Sequence, residues 1–112
     1  MSRNRVQVVD VHKDSLKKMG FTDFQDWASK PGNVYVGRNM SFYVPGATKS
    51  KWSNPFSAKK YGRSECIQLF RESIADRHEE IRRDLSDATS LGCWCHPDPC
   101  HADVLADILN QQ

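Results

Sequence analysis

The chain has 112 residues, 38% of them apolar and 27% charged, with a formal net charge of +2. This composition fits one globular domain large enough for a real core, and so small a net charge gives no argument for nucleic acid by itself. The opening MSRNRVQVVDVHKD holds no apolar run of signal-peptide length and no later stretch is long enough to span a membrane, so a cytoplasmic location without a membrane partner is expected.

Val6 to Val11 (VQVVDV) is β-rich and predicts the first strand, with Asp10 and His12 at its end. Asp14 to Lys30 has helical character, with Leu16, Met19, Phe24 and Trp27 as inward positions; Gly20 interrupts it, which predicts two short helices. Pro31-Gly32-Asn33 is a turn, Val34–Gly37 a second strand ending in Arg38, and Ser41–Val44 a third, short strand. Pro45 to Tyr61 is rich in Pro, Gly, Ser and Lys and reads as a long loop, although Trp52, Pro55 and Phe56 argue against disorder. The longest helix is expected from Ser64, a good N-cap followed by Glu65, with Ile67, Phe70, Ile74 and Ile81 on one face. Cys66 falls near that face and is assigned to the core. A break at Ser86–Ser90 precedes a further strand, Leu91–Cys95, and a final helix, His101–Asn110, with Val104, Leu105, Ile108 and Leu109 at helical spacing. Strands alternating with helices predict a small single-domain α/β fold, with a mostly parallel sheet flanked by helices.

The densest chemistry lies in LGCWCHPDPCHADVL, Leu91–Leu105, which holds three of the four cysteines and two histidines. In a reducing compartment such cysteines read as metal ligands or reactive thiols before disulfides. Cys93 and Cys95 would share one face of a strand, with Cα atoms roughly 6.5–7 Å apart, a poor disulfide geometry. Two prolines, Pro97 and Pro99, end the strand. Cys95, Cys100 and His101 would then lie where a strand ends and a helix begins, the place where ligands bind in open α/β sheets. A helix N-terminus there would attract anions and lower the pKa of a neighbouring cysteine.

The segments VYVGR (34–38), SKWSNPF (50–56), YGRSECIQLFR (61–71) and LGCWCHPDPCHADVL, in that order, resemble domain-of-unknown-function family 4326, small proteins of phages, bacteria and some large viruses. The family pattern is close to VYIGR, SKWGNPF, a YG-R segment opening a helix, and LGCWC-x-P-x-x-CHGDVL. Ser53 and Ala102 stand where that pattern has Gly, and the second change argues against very close backbone approach of a ligand at the helix start. The resemblance implies that these residues form one site in a phage or bacterial setting, and it implies no particular activity.

Several roles fit the Cys-rich segment. Cys93, Cys95, Cys100 and His101 have the donor types of a Cys3His zinc site, although C-x-C-x4-C-H is tighter than the usual knuckle spacing; His96 is a backup ligand. Alternatively Cys95 or Cys100 is a metal-free thiolate activated by the helix start and His101, or the residues are structural. Zinc nucleobase deaminases are excluded, because they need P-C-x-x-C and Pro99-Cys100 is followed by His101-Ala102-Asp103. If the strands are parallel, Arg38 comes to the same edge. Arg38, Lys51 and Arg63 would then bind phosphate beside Asn54, with Trp52 or Phe56 stacking on a base or sugar. The competing role for Trp52 and Phe56 is to pin the loop to the core, and Asn54 before Pro55 also reads as a turn residue. Whether Asp10 and His12 reach this edge stays open. The expected function is binding or processing of a phosphate-bearing ligand: a nucleotide, a nucleotide sugar or a nucleic-acid end. The alternatives are a non-catalytic zinc-stabilised interaction module, such as a phage protein acting on a host factor, and a redox-sensing thiol pair. Oligomeric state is not readable.

Overall fold

The computed structural model describes residues 5–95 and 98–111, so the backup-ligand expectation for His96 lies outside the described residues. In chain order the elements are β1 (Gln7–Asp10), α1 (Lys13–Lys18), α2 (Phe24–Ala28), β2 (Asn33–Tyr35), α3 (Ala58–Tyr61), α4 (Arg63–Ser73), α5 (His78–Asp84), β3 (Ser90–Cys93) and α6 (His101–Asn110). The strands form one sheet in the order β1-β3-β2 with both pairings parallel. The architecture is thus the small α/β fold expected. β3 is central because it is the strand buried most completely, with Leu91, Gly92 and Cys93 all inaccessible, as a middle parallel strand covered on both faces must be.

Period-2 alternation divides the core between the two faces. Leu91 and Cys93 pack with Val6, Val36, Phe70, Ile81 and Leu105, under α4, α5 and α6. Val9 and Val11 pack on the other face with Leu16, Phe24 and Trp27 from α1 and α2. Gly92 faces this second layer, where a Cβ would meet Trp27 Cη2 at 2.5 Å and Val11 Cγ1 at 2.7 Å. The missing side chain is what lets the indole lie against the sheet. Asn110 joins the end of α6 to the start of β1, accepting from Val6 N–H at 2.8 Å and donating to Val6 C=O at 3.1 Å.

Five local expectations are corrected. Ser41–Val44 is a turn, not a strand. Asn39 Oδ1 accepts from Ser41 N–H and Oγ–H, Tyr43 and Val44 N–H both return to Met40 C=O, and Phe42 is 91% exposed. The long helix divides at residues 74–77 into α4 and α5, yet Ile74 and Ile81 both stay in the core. α4 starts after Gly62, which takes the left-handed region at φ +82° and puts Ser64 inside the first turn. Met19, expected inward, is half exposed where α1 ends before Gly20. The Cys-rich strand also stops at Cys93, leaving Trp94 and Cys95 in the bend that follows.

Candidate functional site

Parallel pairing brings the strand ends to one edge. Asp10 is in register with Cys93 and Tyr35 with Gly92, so Val36–Arg38 and Trp94–Cys95 leave the sheet side by side. A cavity of about 330 Å³ opens there. Its walls are Gly37 and Arg38 after β2, Cys93–Cys95 after β3, Asn54–Lys59 of the long connection, Arg63, Cys66 and Ile67 of α4, and Pro99–His101 at the start of α6. Three cationic side chains, Arg38, Lys59 and Arg63, line it, and no carboxylate is among the described residues of its wall.

Arg38 is held by its backbone. Tyr35 Oη–H donates to Arg38 C=O at 2.5 Å, and Trp94 Nε1–H donates to the same phenol oxygen at 2.6 Å. The guanidinium side is exposed, with no carboxylate partner among the described residues. Arg63 Nη1 donates to Pro99 C=O at 3.0 Å, and Nη2 lies 4.0 Å from Asp98 Oδ2. The Cys95 side chain lies beside Arg63, and its interaction with the guanidinium is the chief reason that group's pKa is raised, against some loss of hydration. Asn54 is committed to the connection: Oδ1 accepts from Phe56 N–H at 2.9 Å and Nδ2 donates to Cys66 C=O at 3.3 Å. Its turn role is therefore present, and it sets Phe56 in the cavity wall against Tyr61.

The thiols of Cys93 and Cys100 meet in the interior, Cys100 Sγ donating to Cys93 Sγ at 3.2 Å. Cys100 is also the N-cap of α6. Its sulfur accepts from Ala102 N–H at 3.3 Å, while Asp103 Oδ2 accepts from Cys100 N–H at 2.9 Å. This capping box occupies two of the donors that a free helix start would turn toward an anion. The expected thiolate activation of Cys100 is corrected. The hydrogen bond with Cys93, then burial, push its pKa far up, so it is a thiol at neutral pH. Cys95, half-buried and beside Arg63, is the cysteine of the group that has a cation within reach.

His101 is 9% exposed. Its Nε2 lies 2.6 Å from Val36 C=O, which only accepts, so the ring proton is on Nε2. Phe70 packs edge-on at 5.1 Å. Burial outweighs this hydrogen bond and lowers the imidazole pKa, keeping the ring neutral.

Lys51 and Trp52 are not brought to the cavity. Lys51 Nζ lies 2.7 Å from both Glu80 Oε2 and Asp84 Oδ2 of α5. Trp52 is 3% exposed, in the core, with Arg77 over its ring at 4.6 Å. Its place is the pinning role, not a stacking platform. Lys59 went unnoticed in the sequence, because it lies in a loop whose lysines look alike until Ser57 caps α3 by accepting from Lys59 N–H.

The donor types of Cys93, Cys95, Cys100 and His101 suit zinc, but their arrangement does not make a four-ligand centre. Among the described residues no group of three or more His, Cys, Asp or Glu side chains is placed to hold a metal ion. Cys100 Sγ instead donates to Cys93 Sγ and accepts from Ala102 N–H. Among the same residues no helix is long and apolar enough to cross a membrane.

Comparison with known proteins gives viral relatives. The chain is 33% identical over 67 residues to "Uncharacterized protein R718" of Acanthamoeba polyphaga mimivirus, covering 56% of this chain and 49% of that protein. It is 32% identical over 69 residues to an "Uncharacterized 12.4 kDa protein in nrdA-td intergenic region" of Enterobacteria phage T4, covering 54% of this chain and 60% of that one. The chain thus spans about half the length of the first relative and 60% of the second. No solved structure matches it. The model of the family described as "Domain of unknown function (DUF4326)" matches residues 21–111, and the chain belongs to that family.

Proposed function

We propose that the chain binds a phosphate-bearing ligand, of the nucleotide, nucleotide-sugar or nucleic-acid-end class, in the cavity at the carboxyl edge of its sheet. The supporting observation is the sign of the wall: Arg38, Lys59 and Arg63 converge on about 330 Å³ with no carboxylate among its described lining residues. A guanidinium matches phosphate oxygens with its fork of donors, and Phe56 offers a ring to a base or sugar in the same wall. Lys51 and Trp52 take no part in this reading. Cys95 beside Arg63 is the residue for any nucleophilic step, with Cys100 and His101 shaping the wall as neutral groups.

The test is calorimetric titration with inorganic phosphate, AMP and ADP. Arg38→Ala and Arg63→Ala should each weaken binding roughly tenfold or more, since each removes a charge-assisted contact. Lys51→Ala should leave it unchanged, because its ammonium belongs to Glu80 and Asp84. Equal affinity in the two arginine variants and the unmodified chain refutes the reading.

A further inference from the structure

β1 ends in a second group of polar side chains at the same sheet edge. Asp10 Oδ1 accepts from His12 N–H at 3.0 Å and lies 2.5 Å from His12 Nδ1. Asp10 Oδ2 accepts from Ser15 Oγ–H at 2.8 Å. A carboxylate only accepts, so the proton in this contact sits on Nδ1, and in the neutral ring Nε2 is the unprotonated nitrogen. The carboxyl stays ionised: partial burial works against it, but the bonds from His12 and Ser15 outweigh burial and lower its pKa. Capping the turn into α1 needs only the bond to His12 N–H, which an amide side chain would accept equally well. The Nδ1 contact goes beyond it.

His12 is 56% exposed at the side chain and packs edge-on against Trp94, with ring centroids 4.9 Å apart. Trp94 is fixed by its hydrogen bond to Tyr35 and lines the cationic cavity. It also lines a second recess of about 250 Å³, with Lys13 and Asp23 in the wall. Asp10 is the charged group that His12 contacts, and Lys13, Asp23 and Tyr43 are the charged or titratable groups of the recess that Trp94 lines. His12 itself lines neither cavity and meets the cationic one through Trp94, so the pair is a base oriented by a second group, one side chain away from a ligand-sized cavity. The pair precedes the family match, which starts at residue 21.

We propose that Asp10 and His12 form a proton-transfer pair for the ligand of this edge, with His12 Nε2 as the base and Asp10 as its positioning residue. The inference rests on the phosphate-ligand reading. In the step, an O–H bond of the ligand or of a water breaks, its proton passes to Nε2, and Asp10 stabilises the imidazolium that results.

Long-range 1H–15N spectra of the labelled chain at about pH 8, where an ordinary histidine is neutral, read the tautomer of His12 without a ligand. The expected result is a proton on Nδ1, lost in favour of Nε2 in Asp10→Ala and retained in Asp10→Asn, whose amide oxygen still accepts. A proton on Nε2 in the unmodified chain overturns the proposal outright. The same sample is then titrated with inorganic phosphate, AMP and ADP. Joint shifts of the Arg38 or Arg63 guanidinium and of His12 Nε2 support the pair. Guanidinium shifts with His12 Nε2 unmoved overturn the pair and leave phosphate binding standing. No shift at either place with any of the three probes overturns both.

Discussion

His101 gives the most direct test of the site's electrostatics, because it couples the cavity wall to folding. The perturbation is mild acid. Burial lowers the imidazole pKa in the fold, and the bond from Nε2 to Val36 C=O only partly opposes this. The unfolded chain, with an ordinary value near 6.5, binds the proton first. Stability from this group is therefore complete above about pH 6.5 and is lost as pH falls through the window below it. One proton of difference is worth at most about 1.4 kcal/mol per pH unit, so the loss between neutrality and about pH 5 is bounded at about 2 kcal/mol. Carboxylates contribute little in that interval. Their ordinary values of about 4 lie below it, and Glu80, held at about 2 by Arg77 and Lys51, loses its contribution only as pH falls from that ordinary value toward 2.

The assay is urea unfolding followed by tryptophan fluorescence at about pH 7 and about pH 5, for the unmodified chain and for His101→Gln. The glutamine keeps an N–H donor for Val36 and removes the titration. The variant should be less stable at neutral pH by roughly 1–3 kcal/mol, the usual consequence of disturbing a buried hydrogen bond, and flatter with pH. The reasoning is refuted if both chains lose the same stability on acidification, or if the unmodified chain gains it.

Three further outcomes follow from particular contacts. Gly92→Ala should lower stability by about 1–3 kcal/mol or more, read as a drop in Tm, because the new Cβ meets two buried, rigid side chains. Thiol titration with a soluble disulfide reagent should modify Cys95 first, and Cys66, Cys93 and Cys100 only as the chain unfolds, since those three are buried; prompt reaction of Cys100 would contradict its hydrogen-bonded, raised-pKa state. Lys51→Ala should lower Tm slightly in dilute buffer and not in high salt, as expected of an exposed ion pair with α5.

What was readable in the chain was local. The β-branched run at Val6–Val11, the Gly20 break and the apolar spacing of α6 each carry their signal within one element, and each element is present. The misreadings have non-local or ambiguous causes. Ile74 and Ile81 are seven residues apart, a helical spacing, so their pattern runs straight through the turn that separates α4 from α5. The turn at residues 41–44 depends on the side chain of Asn39, just outside the stretch that looked like a strand. Lys51 looked available for phosphate because its partners, Glu80 and Asp84, lie far along the chain. Arg38, Arg63 and the Cys-rich turn were expected at one edge, and the parallel sheet brings them there. The strand order that sets Asp10 beside Cys93 had no signature at all.

Metal content decides how much of the Cys-rich segment is chemistry and how much is architecture. Cys93 and Cys100 are hydrogen-bonded to each other in the interior, Cys100 caps α6, and His101 bonds to Val36. The Cys100–Cys93 bond requires the Cys100 thiol proton, and zinc on that sulfur would require the proton to leave. The expected result, from elemental mass spectrometry of protein purified without chelator, is zinc well below about one tenth per chain, with Tm unmoved by EDTA. Stoichiometric zinc, with a Tm that collapses on chelation, would refute this. Cys93, Cys95 and Cys100 would then have to exchange their present partners for the metal. The Arg63–Cys95 contact would open, and Cys95 would no longer stand as a thiol beside a guanidinium in the cavity wall.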